Sequence, residues 1–391
     1  MIGITGVHPT GRFDNEADGS TTKLNDNIWS IPHAFYTHQI NDDWYFGLGA
    51  FTRFGLGLNY PSEWPGRFNI RNVELMTASL NPALAWKATD KLSFGGGVEI
   101  MYVTLDLKRR SMATLIPGGG LGGLLGPNPT FMEVDASITG AQGWGIGGNL
   151  AVHYQFNDQW AAGIQYRSKV RVRAQGDVEF TNHGVKGPGV DDPIFGPILG
   201  PDLNDTANTI FNENFNNGKA RSTVMLPDSV SAGISWTPTP DLSFEVGAIW
   251  TQWSTFHSLD IEMPAPLPTS ENPKRWKDTW RLNAGVEYQA LDWLTLRAGY
   301  VWDQSPVPNR YQDYLVPTGD RHMGSVGFGL QWGEDNAWTL DFAYAYIKPK
   351  NRFYDDRPTG FGPDDRNTGT VKGNTRNMYT QLAAVSLGYR W

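Results

Sequence analysis

Apolar side chains recur at every second position along most of this chain, the period of a β-strand with two unlike faces. Residues 336–347, NAWTLDFAYAYI, put Trp338, Leu340, Phe342, Tyr344 and Tyr346 on one face and Ala337, Thr339, Asp341, Ala343 and Ala345 on the other. Residues 292–302 set Leu294, Leu296, Ala298, Tyr300 and Trp302 against Thr295, Arg297, Gly299 and Val301. The chain ends in QLAAVSLGYRW, with Ala383, Val385, Leu387, Tyr389 and Trp391 sharing a face. Fourteen strands are expected, centred near residues 5, 34, 50, 80, 98, 148, 168, 229, 247, 284, 298, 327, 342 and 384.

The connections alternate in length. Six are tight, such as Asn41-Asp42-Asp43, Asn157-Asp158 and Gly333-Glu334-Asp335. Seven are long, running roughly over 9–27, 59–71, 108–136, 181–219, 257–277, 305–319 and 350–370. An even strand number with segregated loop lengths is the layout of an outer-membrane barrel, with short periplasmic turns and long extracellular loops. Trp44, Trp86, Trp160, Trp236, Trp332, Trp338 and Trp391 flank the tight turns on the apolar parity, as an interfacial girdle does. The expectation is an all-β, fourteen-stranded antiparallel transmembrane barrel, one domain over 1–391. Its apolar side chains face lipid and its charged ones face inward.

Composition sharpens this. A mean hydropathy of -0.40 looks soluble, but alternation averages a barrel's apolar face away. Glycine is 45 of 391 residues and tryptophan 16, both high for a soluble protein. No cysteine is present, which excludes thiol chemistry. A net charge of -8 argues against nucleic acid as a partner. The seven histidines are scattered, none at metal-ligand spacing, and no catalytic constellation or cofactor motif stands out. No metal, no cofactor and no enzymatic activity are expected. IGITGVHPTG after Met1 has neither the basic nor the long apolar part of an export signal.

Three stretches, LPDSVSAGISWTPTPDLSFEVGAIWTQWSTF (226–256), WKDTWRLNAGVEYQALDWLTLRAGYVWDQSPVP (276–308) and PTGDRH (317–322), closely resemble the FadL family. FGLGLNYPSEWPGRF (54–68) and LNPALAWKATDKLSFGGGVEI (80–100) are similar to its early strands. The family comprises bacterial outer-membrane transporters of long-chain fatty acids and, in some members, aromatic hydrocarbons. Outer-membrane lipid and lipopolysaccharide are expected partners, and the terminal aromatic strand resembles the signal read by the barrel assembly machinery. The resemblance implies a monomer. It implies a lumen filled by an N-terminal plug, and substrate leaving sideways through a kinked third strand. The plug is expected to be absent from this chain, which starts at the first strand.

Loops 108–136 and 181–219 are too apolar for solvated loops. They carry Leu115, Ile116, Leu121, Leu124, Leu125, Phe131, Ile194, Phe195, Ile198, Leu199, Ile210 and Phe211. An apolar surface patch marks a binding groove or a packing face, and in the family these two loops capture substrate. The alternative is that they bury these residues against each other to cap the barrel. In YRSKVRVRAQ (166–175), counting from Trp160 puts Arg167, Lys169, Arg171 and Arg173 inward or above the membrane. There they would draw a carboxylate, balance Glu99, Glu245, Glu287 and Asp341, or touch lipopolysaccharide at the rim. Gly47, Gly49, Gly55 and Gly57 weaken strand 44–58, and by the resemblance Phe54 and Gly55 mark the lateral opening.

The expected function is passive uptake of hydrophobic molecules across the outer membrane, foremost long-chain fatty acids. The rivals are a toluene-like hydrocarbon channel and a structural or surface-receptor barrel without transport.

Overall fold

A strand with an apolar outer face cannot leave its edge groups unpaired in lipid, so the sheet must close. In the computed structural model, which describes residues 1–116, 128–194, 196–357 and 369–391, it does. Among these residues, fourteen antiparallel staves form one sheet. They are β1 (Ile2–Asn15), β2 (Thr21–Lys23 and Trp29–Gln39), β3 (Trp44–Phe51 and Gly55–Asn59), β4 (Asn72–Lys87), β5 (Leu92–Ile116), β6 (Thr130–Gln155) and β7 (Trp160–Arg167 and Val170–Lys186). Then follow β8 (Gly218–Leu226 and Ser229–Thr239), β9 (Leu242–Thr251), β10 (Thr279–Leu291), β11 (Leu294–Asp303), β12 (Arg321–Trp332), β13 (Trp338–Pro349) and β14 (Gly373–Tyr389). The first and last staves pair from Ile2↔Leu387 to Asn15↔Gly373 and close the wall.

The expected orientation holds. Trp338 and Tyr344 are exposed on the outer face, and the girdle tryptophans form stacked pairs: Trp44 on Trp86 at 6.2 Å, Trp160 on Trp236 at 5.6 Å, Trp332 on Trp338 at 6.4 Å. Trp391 stacks on Tyr36 at 5.6 Å, so the terminal aromatic belongs to the periplasmic ring. Inside, Arg297 holds Glu287 at 2.6 Å and Asp341 at 2.7 Å, so these lumen acids are balanced locally.

One expectation fails, and another holds only in part. The loop read over 108–136 is mostly a strand hairpin, because β5 and β6 run far above the membrane and only 117–129 connects them. Alternation persists there in MEVDASIT (132–139), but the consecutive charges Lys108-Arg109-Arg110 and the run PGGGLGG (117–123) give the stretch the composition of a loop. The basic ladder is also displaced. β7 breaks at Ser168–Lys169, and parity flips across the break. Arg167 still faces the lumen, but above it Val170 and Val172 are buried, in register with Leu226 and Val224 on the inner side. Lys169, Arg171 and Arg173 therefore sit on the outer face, exposed.

The extracellular end is capped by aromatic packing of distant segments. Phe13, Trp64, Tyr314 and Tyr354 meet edge-on or tilted, with Tyr60 stacked on Trp64 at 4.0 Å. In the loop between β11 and β12, burial pushes the Asp320 carboxyl up. The Ser305 N–H at 3.0 Å and Lys350 at 3.2 Å outweigh this and hold it below the usual Asp range. A depressed folded value means its contribution is complete above the unfolded value, about 3.9, and is lost as pH falls below that. Hydrogen exchange over 304–320, corrected for intrinsic rate, should stay flat from neutrality to about pH 4 and rise below it. Asp320→Asn should remove the step.

Candidate functional site: a lumen cavity beside a break in the wall

β3 carries one residue too many for its neighbour. Between Phe51↔Ser79 and Gly55↔Met76 it advances four positions while β4 advances three. The extra residue is absorbed at Thr52-Arg53-Phe54 as a bulge. Thr77, buried on β4, holds it there. Its hydroxyl accepts the N–H groups of Arg53 at 3.2 Å and Phe54 at 2.9 Å, and its own N–H donates to the Phe54 carbonyl.

On its other side β3 loses its partner. Pairing with β2 ends at Ala34↔Ala50, and among the described residues no ladder joins 29–33 to 51–58. The gap is bridged only at its top, where Asn25 N–H donates to the Asn59 carbonyl at 2.8 Å. Across it lies the Trp29 indole, seated on Gly57: a Cβ there would stand 2.6 to 2.9 Å from three ring atoms. Phe54 and Gly55 border this break, yet a Cβ on Gly55 would find nothing nearer than 3.9 Å. Gly57 is the glycine that the arrangement requires. Sequence reasoning named it only as one of several weakening glycines, and it gave no sign of Trp29.

Behind the break is a cavity of about 530 Å³, within the ~300–1,000 Å³ range of small-molecule sites. Phe54, Gly55 and Leu56 form its wall at the gap, with Val73, Leu75, Leu105, Val224 and Leu226 beside them. Its roof is aromatic. Trp276 meets Trp253 at 5.0 Å and Phe256 at 4.8 Å, and Trp253 meets Phe54 at 5.9 Å, all edge-on. Four arginines, Arg53, Arg167, Arg281 and Arg321, reach the cavity against a single acid, Asp303. Arg321 is paired with Asp303 at 2.5 Å, whereas Arg281 has no ion-pair partner among the described residues.

Arg53 has a structural duty as well. β3, β7 and β8 are interrupted at one level, and its guanidinium donates to the Ser168 carbonyl at 3.2 Å and the Pro227 carbonyl at 2.9 Å. It also donates to Glu99 at 3.1 Å, a carboxylate with 0% side-chain exposure, which Ser79 approaches at 2.8 Å and Arg167 at 3.7 Å. Backbone carbonyls freed by the breaks thus regain donors. Of the basic ladder, only Arg167 belongs to this site.

The loop residues lie elsewhere. Leu115, Ile210 and Phe211 pack against the extracellular core, with Phe211 stacked on Phe215 at 5.6 Å. Ile116, Phe131 and Leu199 are half-buried, and Ile194 and Ile198 are exposed. Ile198, Leu199, Ile210 and Phe211 sit on a helix, α2 (Gly196–Asn214), following the short α1 (Pro188–Asp191). Leu121, Leu124, Leu125 and Phe195 lie outside the described residues. None of the described members of this set lines the lumen cavity. The cavity's apolar lining went unrecognised because inward apolar positions high in a barrel look like any other loop-proximal residue.

Residues 1–389 match the family profile described as outer membrane protein transport protein (OMPP1/FadL/TodX). Outer membrane protein P1 of Haemophilus influenzae is 23% identical over 92% of this chain and 74% of its own length. The long-chain fatty acid transport protein of Salmonella typhi is 23% identical over 88% of this chain and 75% of its own. Among solved structures, a FadL homologue of Pseudomonas aeruginosa superposes with a TM-score of 0.78 at 20% identity, covering 99% of this chain and 89% of that one. The toluene transporter TodX of P. putida gives 0.72 at 17% identity, over 100% and 89%.

Proposed function

The chain belongs to the outer membrane transport protein family of OMPP1, FadL and TodX, and from that premise we propose that its cargo is a long-chain fatty acid. As a family member it transports hydrophobic compounds across the outer membrane. What supports a fatty acid is the cavity's chemistry: an apolar body in which Glu99 answers Arg53 and Arg167, Asp303 answers Arg321, and Arg281 alone among the four arginines has no acid among the described residues. A hydrocarbon chain gains from burial against Leu56, Val73, Leu75 and Leu226. A carboxylate gains from charge-assisted hydrogen bonds, and Arg281 has no acid to surrender first. Passage is passive. The apolar surfaces over β5–β8 and α2 take up substrate, the cavity holds it, and the β3 break releases it sideways past Trp29 into the bilayer.

Trp253, Phe256 and Trp276 give an aromatic hydrocarbon some claim on the same cavity, so the test has two arms. Arg281→Met should weaken binding of a C16–C18 fatty acid by roughly 10- to 100-fold, the worth of a hydrogen bond to a charged group. Toluene and the matching long-chain alcohol should bind as to the unaltered protein. Equal loss for all three, or none for the acid, would reject the carboxylate reading.

A further inference from the structure

The outer face of β7 carries three cations that do not line the lumen cavity. Lys169, Arg171 and Arg173 point away from the lumen, are exposed, and have no ion-pair partner among the described residues. Nearby charges farther from the membrane are already engaged: Lys219 with Asp177 at 2.5 Å, and Arg221 with the Gln175 amide oxygen at 2.8 Å. Asp228, the acid on the adjoining turn, accepts from the Tyr166 hydroxyl at 3.3 Å.

Their height matters. The periplasmic girdle fixes Trp160 at one edge of the apolar band. A strand tilted ~40° climbs about 2.5 Å per residue, so a ~25 Å band ends about ten residues on. The outward residues Ile164 and Tyr166 fall within it, and the run from Lys169 to Arg173 falls at its outer margin. Cations lower on this face would cost roughly 2–4 kcal/mol each; at headgroup level they meet phosphate.

Beside them on β6, Trp144 and Ile146 are 66% and 71% exposed, among the most open apolar side chains of the wall. Their inward neighbours Gly143 and Gly145 make room for Val170 and Val172, which close the wall where β6 and β7 stop pairing. The break at Ser168–Lys169 thus swaps the faces, bringing valines in and cations out beside an apolar pair.

We propose that this surface binds an outer-leaflet lipid bearing phosphate groups: phosphates on Lys169, Arg171 and Arg173, acyl chains along Trp144 and Ile146. Arginine presents phosphate with a paired donor set, and each surface cation adds a several-fold preference for anionic lipid.

The test uses the whole protein in neutral detergent, with binding read by native mass spectrometry. The probes are a bisphosphorylated diglucosamine lipid, its dephosphorylated form, and inorganic phosphate. The phosphorylated lipid should bind about tenfold or more tightly to the unaltered protein than to K169Q/R171Q/R173Q, and Lys87→Gln at the periplasmic rim should bind it normally. Heat-modifiable gel migration checks that each barrel is folded. If the triple variant fails that check, Arg173→Gln alone carries the test, with an expected loss of about threefold. Equal binding by folded variant and parent overturns the proposal. So does equal binding of the dephosphorylated lipid, and so does full displacement by millimolar inorganic phosphate, which would mark a site for the free anion.

Discussion

Lys274→Met should cost about 3–5 kcal/mol of cap stability, the usual price of stranding one member of a buried ion pair. Lys274 is fully buried, and its ammonium meets the equally secluded Asp313 carboxylate. The pair joins the β9–β10 loop, which carries Trp253, Phe256 and Trp276, to the β11–β12 loop, which carries Pro306, Leu315 and Val316. Asp313 also accepts the Leu315 N–H at 3.1 Å, and its carbonyl takes the Tyr354 hydroxyl at 3.2 Å. With the lysine gone, the carboxylate must find water, and it can do so only by parting the two loops that roof the cavity. Hydrogen exchange over 252–278 and 304–320 should accelerate while the barrel staves stay protected. K274M/D313L should recover most of the loss, because an apolar pair of similar volume needs no solvation. Unchanged exchange in the single variant would mean that aromatic packing alone holds the roof.

Gly57→Val is expected to have the second largest effect, and it acts on the wall. The new side chain occupies the space of the Trp29 indole. Overpacking of about 1–3 kcal/mol would raise the population with the indole displaced by roughly 5- to 150-fold. Transfer of a fluorescent fatty acid from the protein into liposomes should then speed up, and Trp29→Ala should mimic it. Gly55→Ala, whose Cβ has room, should leave the rate unchanged. If both glycine variants behave alike, the indole is not the obstacle at this gap.

These contrasts show where the sequence was readable. Period-two alternation located every stave, because lipid outside and water inside impose the same rule on each. Even the interruption of β3 left a trace in Gly55 and Gly57. Parity failed at Arg171 and Arg173 for a definite reason: counting from Trp160 assumes an unbroken ladder, and nothing in RSKV announces that β7 stops and restarts with its faces exchanged. Above the membrane alternation continues, as in MEVDASIT (132–139), but Leu115 and Phe131 read as loop because Lys108-Arg109-Arg110 and PGGGLGG (117–123) interrupt the pattern. The cavity was the hardest to foresee. Arg53, Arg281, Trp253 and Leu226 come from four remote segments, and only the closed wall brings them together. Trp29 on Gly57 is likewise a contact between side chain and backbone across a gap, with no local signature.

The seam between β1 and β14 has a consequence for biogenesis. Ile2 sits opposite Leu387, so the cylinder is completed by the most distant partners the chain possesses, a contact that is slow to form unaided. Until the final segment arrives, two raw margins exist, each a column of amide and carbonyl groups that hydrocarbon cannot solvate. Insertion and closure must therefore be concerted, or those margins must be sheltered by something else until the ring is sealed.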